Sequence, residues 1–503
     1  MGVAFAILAG LVLSPFMIRR LGDEGYGIWA LVFALIDYYD MLDFGFRSAV
    51  VKYTAHHRAA NEPAEINTVI NTALVYFSVI AALVMLGTLL VFRSLHVLFR
   101  ISPAFQPQFA TLILLVGFSW SLGAVCHSFS ASLEGFQRFD LFNRASIIYT
   151  GVRSTGCLAL LFLGYGLVPL GVMVVASQGM LYLLHYRNFR RAVPAFRFHP
   201  RGAKLSMFRR LAGYGAHTFV ANGSWQVVTQ GPSVLIGHFL PAAFVGYYAV
   251  PQRLLQASIT ATDSVIAVSG SNSAEMTAKG EMKTIARMGL LVNRYCLTIF
   301  LPIAAILWIY RDEVIQVWIR KSIYVTYSAP LLPILLLGVV FALVGQVNSA
   351  SILYGLGRHP GYARGLLVEA VLSVSALVYV IPRYGILGAA TVAATLMILN
   401  RGIYTPWYLC RVLHFPFRLF MAGIYARPSL IALPLIAVTY ALKKFVLPGR
   451  NLLEIAAASA IAGCLAWASG FFISLETEHR EIFRDMWETR LARLRTIFRG
   501  QPA

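Results

Sequence analysis

Charged side chains lie inside several stretches that are otherwise apolar enough to cross a membrane. Such charges are costly in lipid, so they normally face protein or a water-filled cavity. Arginine keeps its charge almost anywhere, and its planar guanidinium group binds phosphate oxygens through paired hydrogen bonds. Candidate ligands for an anionic substrate such as a pyrophosphate are therefore Arg47, Arg153, Arg253 and Arg294. The alternative is that these arginines pair with the acids inside the same stretches: Asp37, Asp40, Asp43, Asp263 and Glu369.

Three of the acids are candidates for coupling transport to a proton or cation gradient. Asp37 and Asp40 lie near the middle of a predicted helix, where a carboxyl group can exchange a proton or bind a cation. Asp263 lies in another predicted span and is a third candidate. Asp43 and Arg47 are four residues apart and can pair along one helix. We interpret that pair as a structural one near the cytoplasmic end of the helix.

Amide and aromatic side chains on the predicted span 213–239 are candidates for sugar contacts. Asn222 and Gln226 share a face of the helix, and Trp225 lies beside them. The commoner role of such amides is to join neighbouring helices in a membrane by hydrogen bonds. We predict no catalytic residue, metal site or cofactor, because we find no metal-ligand spacing, glycine-rich phosphate loop or nucleophile elbow. An enzyme is therefore not expected.

The composition indicates a helical membrane protein. Of 503 residues, 58% are hydrophobic and 13% are charged, and the mean hydropathy is +0.70. A soluble chain of this length would need more charge to cover its surface. The apolar runs are long enough to cross a bilayer as helices and lack the alternation of a membrane barrel. We predict an all-α polytopic membrane protein of about 14 transmembrane helices, with spans at 2–18, 25–50, 67–92, 108–133, 143–164, 166–186, 213–239, 243–270, 288–310, 328–353, 362–382, 384–410, 428–447 and 451–475.

The chain contains an internal repeat with an offset of 219 or 220 residues. The segment 133–138 returns as 353–358, and Gly27 returns as Gly246. Because the offset covers six predicted helices, both copies should have the same orientation, which predicts two six-helix lobes related by a pseudo-twofold axis, with the substrate path between them. The predicted domains are an N-terminal lobe at 1–186, a basic cytoplasmic linker at 187–212, a C-terminal lobe at 213–410, two appended transmembrane helices at 411–475 and an amphipathic cytoplasmic tail at 476–503.

The distribution of basic residues predicts the orientation. Loops on the side of the two termini carry more than twice as many Lys and Arg residues as loops on the other side. The positive-inside rule therefore predicts that both termini are cytoplasmic. The net charge of +21 is explained by this orientation signal and by attraction to anionic membrane lipids, and no nucleic-acid motif accompanies it. The basic linker either serves topology alone or lies near an anionic lipid headgroup.

Two sequence motifs resemble a known family. The segment Pro15–Trp29, which includes Arg-Arg-Leu-Gly-Asp-Glu-Gly-Tyr-Gly, and the segment Leu42–Phe46, which reads Leu-Asp-Phe-Gly-Phe, are similar to the opening of Wzx-type polysaccharide or O-antigen flippases. These belong to the MATE-like superfamily of multidrug, oligosaccharidyl-lipid and polysaccharide transporters. The resemblance extends to the span count, the short loops and the paired lobes. The short first span and the missing basic N-terminal segment depart from the family pattern.

The resemblance implies a flippase of the bacterial plasma (inner) membrane. Such a protein moves a polyprenyl-pyrophosphate-linked oligosaccharide across the membrane by alternating access, for the synthesis of O-antigen, capsule or exopolysaccharide. A polysaccharide polymerase and glycosyltransferases are then expected partners. A MATE-like cation-coupled multidrug exporter is the main alternative, although a cation pocket should be dominated by carboxylates and aromatic rings. A membrane polysaccharide polymerase fits less well, because the predicted outer loops are short.

Overall fold

A computed structural model describes residues 2–194, 196–266 and 282–481. Within these residues the regular secondary structure is helical, and no strand occurs. In lipid, a helix satisfies the hydrogen bonds of its own backbone, which makes it the natural element for a chain this apolar. The all-α prediction is therefore confirmed. Of the amphipathic tail predicted at 476–503, residues 482–503 lie outside the described residues.

The α-helices of the first half of the chain are α1 (Gly2–Asp37), α2 (Phe46–Ala59), α3 (Pro63–Leu98), α4 (Gln106–Gly135), α5 (Phe139–Phe162), α6 (Leu167–Ala192), α7 (Leu205–Phe239) and α8 (Ala243–Ile266). Those of the second half are α9 (Met282–Ile309), α10 (Arg311–Ile319), α11 (Ser322–Ser328), α12 (Leu331–Leu343), α13 (Ala350–Gly355), α14 (His359–Met397), α15 (Thr405–Val412), α16 (Phe417–Ala441) and α17 (Leu452–Ile473). Three π-helical segments interrupt the second half, at Val344–Ser349, Ile398–Tyr404 and Leu442–Val446.

Two of the helices join spans that the sequence separates. Helix α1 contains the predicted span 2–18 and the start of the next one, with a break at Gly22, whose φ is 75°. Helix α14 joins two later spans across Gly385, whose φ is 59°. Glycine adopts positive φ without the steric cost that other residues meet. The turns predicted between these spans are therefore sharp breaks at single glycines.

The predicted span 25–50 is not one continuous α-helix. After α1 ends, residues Tyr38–Asp43 form a 3₁₀-helix, and Phe44 and Gly45 then adopt positive φ values of 48° and 70°. Helix α2 begins only at Phe46. Asp37 and Arg47 therefore do not lie on one continuous α-helix. Asp37 is the last residue of α1, and Arg47 lies in the first turn of α2.

Eight helices among the described residues are long and apolar enough to cross a membrane, or nine if the bent pair α11–α12 forms one span. The two helices of that pair meet at 45°. These findings support a multi-pass membrane protein. The count of fourteen spans stays a prediction.

Contacts divide the chain into two compact units. Unit 1 contains residues 1–261, 318–339 and 358–400, and unit 2 contains 262–317, 340–357 and 401–503. The units group helices by contact and not by sequence repeat. The lobe boundaries predicted from the repeat therefore stay a prediction.

Within unit 1, helix α1 packs against the turn between α7 and α8 with no room for a side chain. A Cβ atom placed on Gly27 would overlap the carbonyl oxygen of Ala242. A Cβ on Gly246 would lie 3.3 Å from the backbone nitrogen of Gly27 and 3.0 Å from Tyr26 Cδ1. The two glycines that the repeat matches therefore lie against each other.

Within unit 2, a row of small residues lets α17 pack closely. Ala458, Ala462 and Ala466 follow each other at four-residue spacing and are buried against Ile306 and Tyr310. Small residues at this spacing allow close contact between membrane helices, where the hydrophobic effect does not drive association. Helices α9, α16 and α17 form the packed core of this unit.

Candidate functional site

Arg253 on α8 reaches across to α1 inside unit 1. Its Nη1 donates a hydrogen bond to Ser14 Oγ at 3.0 Å and lies 3.5 Å from the carbonyl oxygen of Gly10. The guanidinium carbon lies 5.9 Å from the centre of the Tyr26 ring. Ser14 is fully buried and donates to the Gly10 carbonyl at 2.7 Å. The described contacts of Arg253 are thus to neutral groups, and none is a carboxylate.

A proline shapes the part of α1 beside Arg253. Pro15 has no backbone N–H, so the carbonyl of Leu11 loses its helical hydrogen-bond partner. The indole Nε1 of Trp318 donates to that carbonyl at 2.9 Å. A distant aromatic residue therefore satisfies the backbone group that the proline leaves unpaired. This contact fixes α1 next to the guanidinium group.

Arg153 also has only neutral partners among the described residues, but they lie on its own helix. Its Nη1 donates to the hydroxyl of Tyr149 at 2.9 Å, and its guanidinium carbon lies 5.2 Å from the centre of the same ring. No described contact joins Arg153 to Arg253. The structure therefore leaves Arg153 as a separate cationic group.

Arg47 has a charged partner. Its guanidinium group forms an ion pair with Glu134 on α4 and lies 5.7 Å from the Phe142 ring. Asp43 does not take the guanidinium group in the described contacts, because its Oδ1 accepts the backbone N–H of Arg47 at 3.0 Å. Asp43 thus accepts a backbone N–H of the first turn of α2, and the expected pairing of the two side chains gives way to a pair with Glu134.

Arg294 on α9 is buried in unit 2 and holds the end of α17 in place. Its Nε donates to the carbonyl of Gly423 at 2.7 Å, and its Nη1 donates to Glu476 Oε1 at 2.8 Å. Arg427 reaches the same carboxyl oxygen at 3.2 Å. The hydrogen bond from Arg294, and then the positive charges of Arg427 and Arg294, hold the pKa of Glu476 below its usual range. This geometry gives Arg294 a structural role.

The pair between Arg294 and Glu476 predicts a stability that depends on pH. A carboxyl group whose pKa is lowered by folding stabilises the fold fully above its ordinary pKa of about 4.3, and this contribution is lost as pH falls toward the lowered value. At neutral pH we expect Glu476→Gln to lower the free energy of unfolding by about 1–3 kcal/mol, because Arg294 stays buried without its carboxylate. Thermal unfolding of the purified protein from neutral pH down to about pH 3 tests this, with Glu65→Gln as a surface control. Equal pH dependence in wild type and Glu476→Gln would contradict the prediction.

The coupling candidates are only partly described. Asp37 Oδ2 accepts a hydrogen bond at 2.7 Å from Nε2 of Gln230, which joins the end of α1 to α7. The side chains of Asp40 and Asp263 lie outside the described residues. The sugar-contact candidates Asn222, Trp225 and Gln226 all lie on α7, where Asn222 is exposed and the other two are half-buried. Gln230 is one turn beyond Gln226, so the amide row leads to Asp37.

One buried acid was predicted only as a possible partner of the arginines inside the spans. Glu369 on α14 is 2% exposed, and its Oε2 accepts a hydrogen bond from Asn400 Nδ2 at 2.6 Å. Asn400 lies in the π-helical segment that follows α14. The signal for Glu369 was a carboxyl group in an apolar run, but no local pattern pointed to Asn400. Within the described residues, no group of acids, histidines or cysteines is arranged to hold a metal ion.

Comparison with a family model decides the family. The model described as "Polysaccharide biosynthesis protein" matches residues 1–269, which is more than half of the chain. The chain belongs to this family. The match includes both motifs of the opening segment and all of α8, and therefore the contact between Arg253 and Ser14. Membership was predicted from the opening motifs and is confirmed.

Relatives of this family member include a putative O-antigen transporter of Shigella flexneri, 24% identical over 423 residues that make up 82% of this chain and 96% of the relative. A membrane protein of Bacillus subtilis named EpsK, itself described as uncharacterized, is 24% identical over 83% of each chain.

The fold is shared with solved transporter structures. A lipid II flippase, MurJ, in an inward closed conformation gives a TM-score of 0.70 at 13% identity, with 94% of this chain and 97% of MurJ covered. An inward-facing multidrug transporter of the MATE family gives a TM-score of 0.61 at 12% identity, with 81% and 95% covered. At these identities the likeness shows the fold alone.

Proposed function

We propose that the protein is a flippase for polyprenyl-pyrophosphate-linked oligosaccharides and works by alternating access in the synthesis of surface polysaccharides. Support comes from its family and from a relative named as an O-antigen transporter. The physical need is plain, because a pyrophosphate and a glycan cannot cross about 30 Å of hydrocarbon without a polar path. The protein acts in the bacterial inner membrane with both termini in the cytoplasm, as the distribution of basic residues indicates.

The observation that carries the proposal is the placement of Arg253. It is half-buried in a predicted membrane span, and its described partners are a hydroxyl, a carbonyl and an aromatic ring. A guanidinium group with neutral partners keeps its full charge for an anion, whereas one paired with a carboxylate has much of its charge offset. Arg253 is therefore the first choice for binding the pyrophosphate, and Arg153 is the second. Arg47 and Arg294 already have carboxylate partners.

The polar row on α7 supports binding of the glycan. Asn222, Trp225 and Gln226 offer two amides and an indole ring on consecutive turns of one helix. Amide groups match sugar hydroxyls as both donors and acceptors of hydrogen bonds. The row ends at Gln230, which binds Asp37. In this proposal the sugar contacts lie along α7, and Gln230 of the same helix binds a carboxyl group at the end of α1 that can exchange a proton.

Asp37 is the proposed coupling residue. If proton exchange at this carboxyl drives transport, Asp37→Asn should remove that part of the pH dependence of transport, because an amide keeps the hydrogen-bonding shape but does not titrate. Transport into vesicles should be measured across imposed pH gradients. Gln230→Glu, which changes the hydrogen-bond partner of Asp37, should be measured beside it. An unchanged pH profile in Asp37→Asn would make this residue structural.

The test of the proposed function is the sidedness of the lipid-linked glycan after depletion of the protein. Intact spheroplasts and inverted vesicles would be treated with a sugar-specific reagent that does not cross membranes. We expect glycan-lipid to accumulate on the cytoplasmic face while its synthesis continues. Normal sidedness with unpolymerised units outside would point to a polymerase, and no change at all would favour a drug exporter.

A further inference from the structure

A stretch that covers the last turns of α6, the loop after it and the first turns of α7 carries an unusual concentration of charge. Residues 187–212, which we call the basic segment, contain eight Lys and Arg residues and no acid. Most of these side chains are exposed, and they include Arg197, Arg201 and Lys204. Helix α6 is one of the helices apolar enough to cross a membrane, and the basic segment begins in its last turns. The charge is therefore placed where a membrane ends.

The basic segment is held in a fixed shape by polar side chains of α3. The amide of Asn71, which is 3% exposed, donates to the carbonyl of Arg197 at 3.1 Å and accepts the backbone N–H of His199 at 2.9 Å. Asn67 Oδ1 accepts the backbone N–H of Arg197 at 3.2 Å. Thr72, which follows Asn71 on α3, accepts the backbone N–H of Lys204 through its Oγ1 at 3.2 Å. Side chains of α3 thus replace the hydrogen bonds that a loop would otherwise make with water.

Neighbouring apolar residues of the segment point in different directions. Phe196 is 5% exposed and packs in a core cluster with Phe189 and Val193. Phe198 and Leu205 are 67% and 66% exposed. A soluble surface rarely places large apolar side chains beside several arginines, whereas a surface in the membrane interface commonly does. The hydrogen bonds from α3 therefore hold exposed apolar side chains and exposed arginines on one surface.

We propose that the basic segment is a preformed docking surface for the anionic lipid headgroups of the leaflet around the ends of α6 and α7. Arg197 and Arg201 bind the phosphate groups, and Phe198 inserts among the acyl chains. Charge complementarity selects the partner, because the segment has no acid and anionic lipids supply a negative surface. The exposed phenylalanine favours lipid over a nucleic-acid duplex, whose charged backbone offers that ring no apolar surface. The proposal does not depend on which substrate is transported.

The test uses the full chain in nanodiscs with and without phosphatidylglycerol. For wild type, we expect the anionic lipid to raise the unfolding temperature and native mass spectrometry to detect retained phosphatidylglycerol. The pair Arg197→Gln with Arg201→Gln should weaken retention about tenfold, and Phe198→Ser should weaken it without any change in charge. The matched control, Arg93→Gln with Arg383→Gln, removes the same charge from exposed sites outside the segment and should retain the lipid.

Asn71→Ala tests whether lipid retention depends on the shape of the basic segment or only on its net charge. It keeps every basic residue but removes two of the hydrogen bonds that hold the segment, so lipid retention should fall. Unfolding temperatures without anionic lipid show whether each variant is folded, and Phe198→Ser affects an exposed side chain that the fold does not need. Full retention in Asn71→Ala, equal losses in the control pair, or tighter binding of an oligonucleotide than of phosphatidylglycerol would each overturn the proposal.

Discussion

Replacing Arg253 by alanine should lower the rate of glycan-lipid transport by about ten- to a hundredfold. A hydrogen bond to a charged group contributes about 1.5–3 kcal/mol, and 1.4 kcal/mol corresponds to a factor of ten. The guanidinium group is held over Tyr26 and against Ser14 without a carboxylate among its described contacts. Its loss should therefore remove an interaction with the phosphate and leave no acid unpaired. Transport in proteoliposomes with a fluorescent lipid-linked glycan measures the rate.

The conservative variant and a matched control make this result specific. Arg253→Lys keeps the charge but not the planar pair of donors, so it should retain an intermediate rate. Arg383→Ala is the control, because Arg383 also lies over a tyrosine ring, 3.7 Å from the centre of Tyr379, but this ring is on its own helix and Arg383 is exposed. A wild-type rate in Arg253→Ala would remove this residue from the binding site.

Gly27→Ala should cause the largest loss of stability among single-methyl additions to α1. The added Cβ would overlap the backbone carbonyl of Ala242, and a backbone atom at the turn between α7 and α8 cannot swing aside as a flexible side chain can. Overpacking of this kind typically costs about 1–3 kcal/mol and sometimes more. A clear drop in the thermal unfolding midpoint of the purified protein is expected. Transport should also fall if α1 and α8 must keep this contact for part of the cycle.

Two other glycines calibrate the effect. Gly246→Ala places its Cβ no closer than 3.0 Å to a neighbouring atom, so it should cost less than Gly27→Ala. Gly87→Ala meets no atom within 4 Å and should be neutral or slightly stabilising, because alanine favours a helix. If Gly27→Ala unfolds at the same temperature as Gly87→Ala, the close packing at this junction does not exist in solution.

The fold class could be predicted because it depends on average properties. Long apolar runs predicted helices. The repeat matched Gly27 with Gly246 but did not predict that the two glycines lie against each other, as the structure shows. The breaks in those helices were harder to predict. A run of aromatic and acidic residues from Tyr38 onward is as compatible with an α-helix as with the observed 3₁₀-helix, and the positive φ of Phe44 has no signal in its own side chain.

The candidate site was predicted by residue type but not by partner. In the sequence, Arg47 and Arg294 resemble Arg253, because all three lie inside apolar spans. They differ from it in having carboxylate partners, Glu134 and Glu476, which are far away along the chain and outside the predicted spans. The same holds for Trp318, which completes the hydrogen bonding of α1 near Pro15. Partners of this kind are set by tertiary packing, so a single sequence offers no local pattern for them.

The meeting of Gly27 and Gly246 has a consequence for how the two copies can diverge. In a symmetric dimer, a residue on the twofold axis touches its own counterpart, so one substitution always changes both sides of the contact. If the repeat arose by duplication within one chain, the contact is now encoded at two positions that mutate independently. The space around them is unequal, because a Cβ would overlap a backbone atom at Gly27 and make tight contacts of 3.0 Å or more at Gly246, so a new side chain meets less resistance at the second position. A single mutation can therefore make this junction asymmetric in this protein, whereas a single mutation in a symmetric dimer would change both sides of the contact.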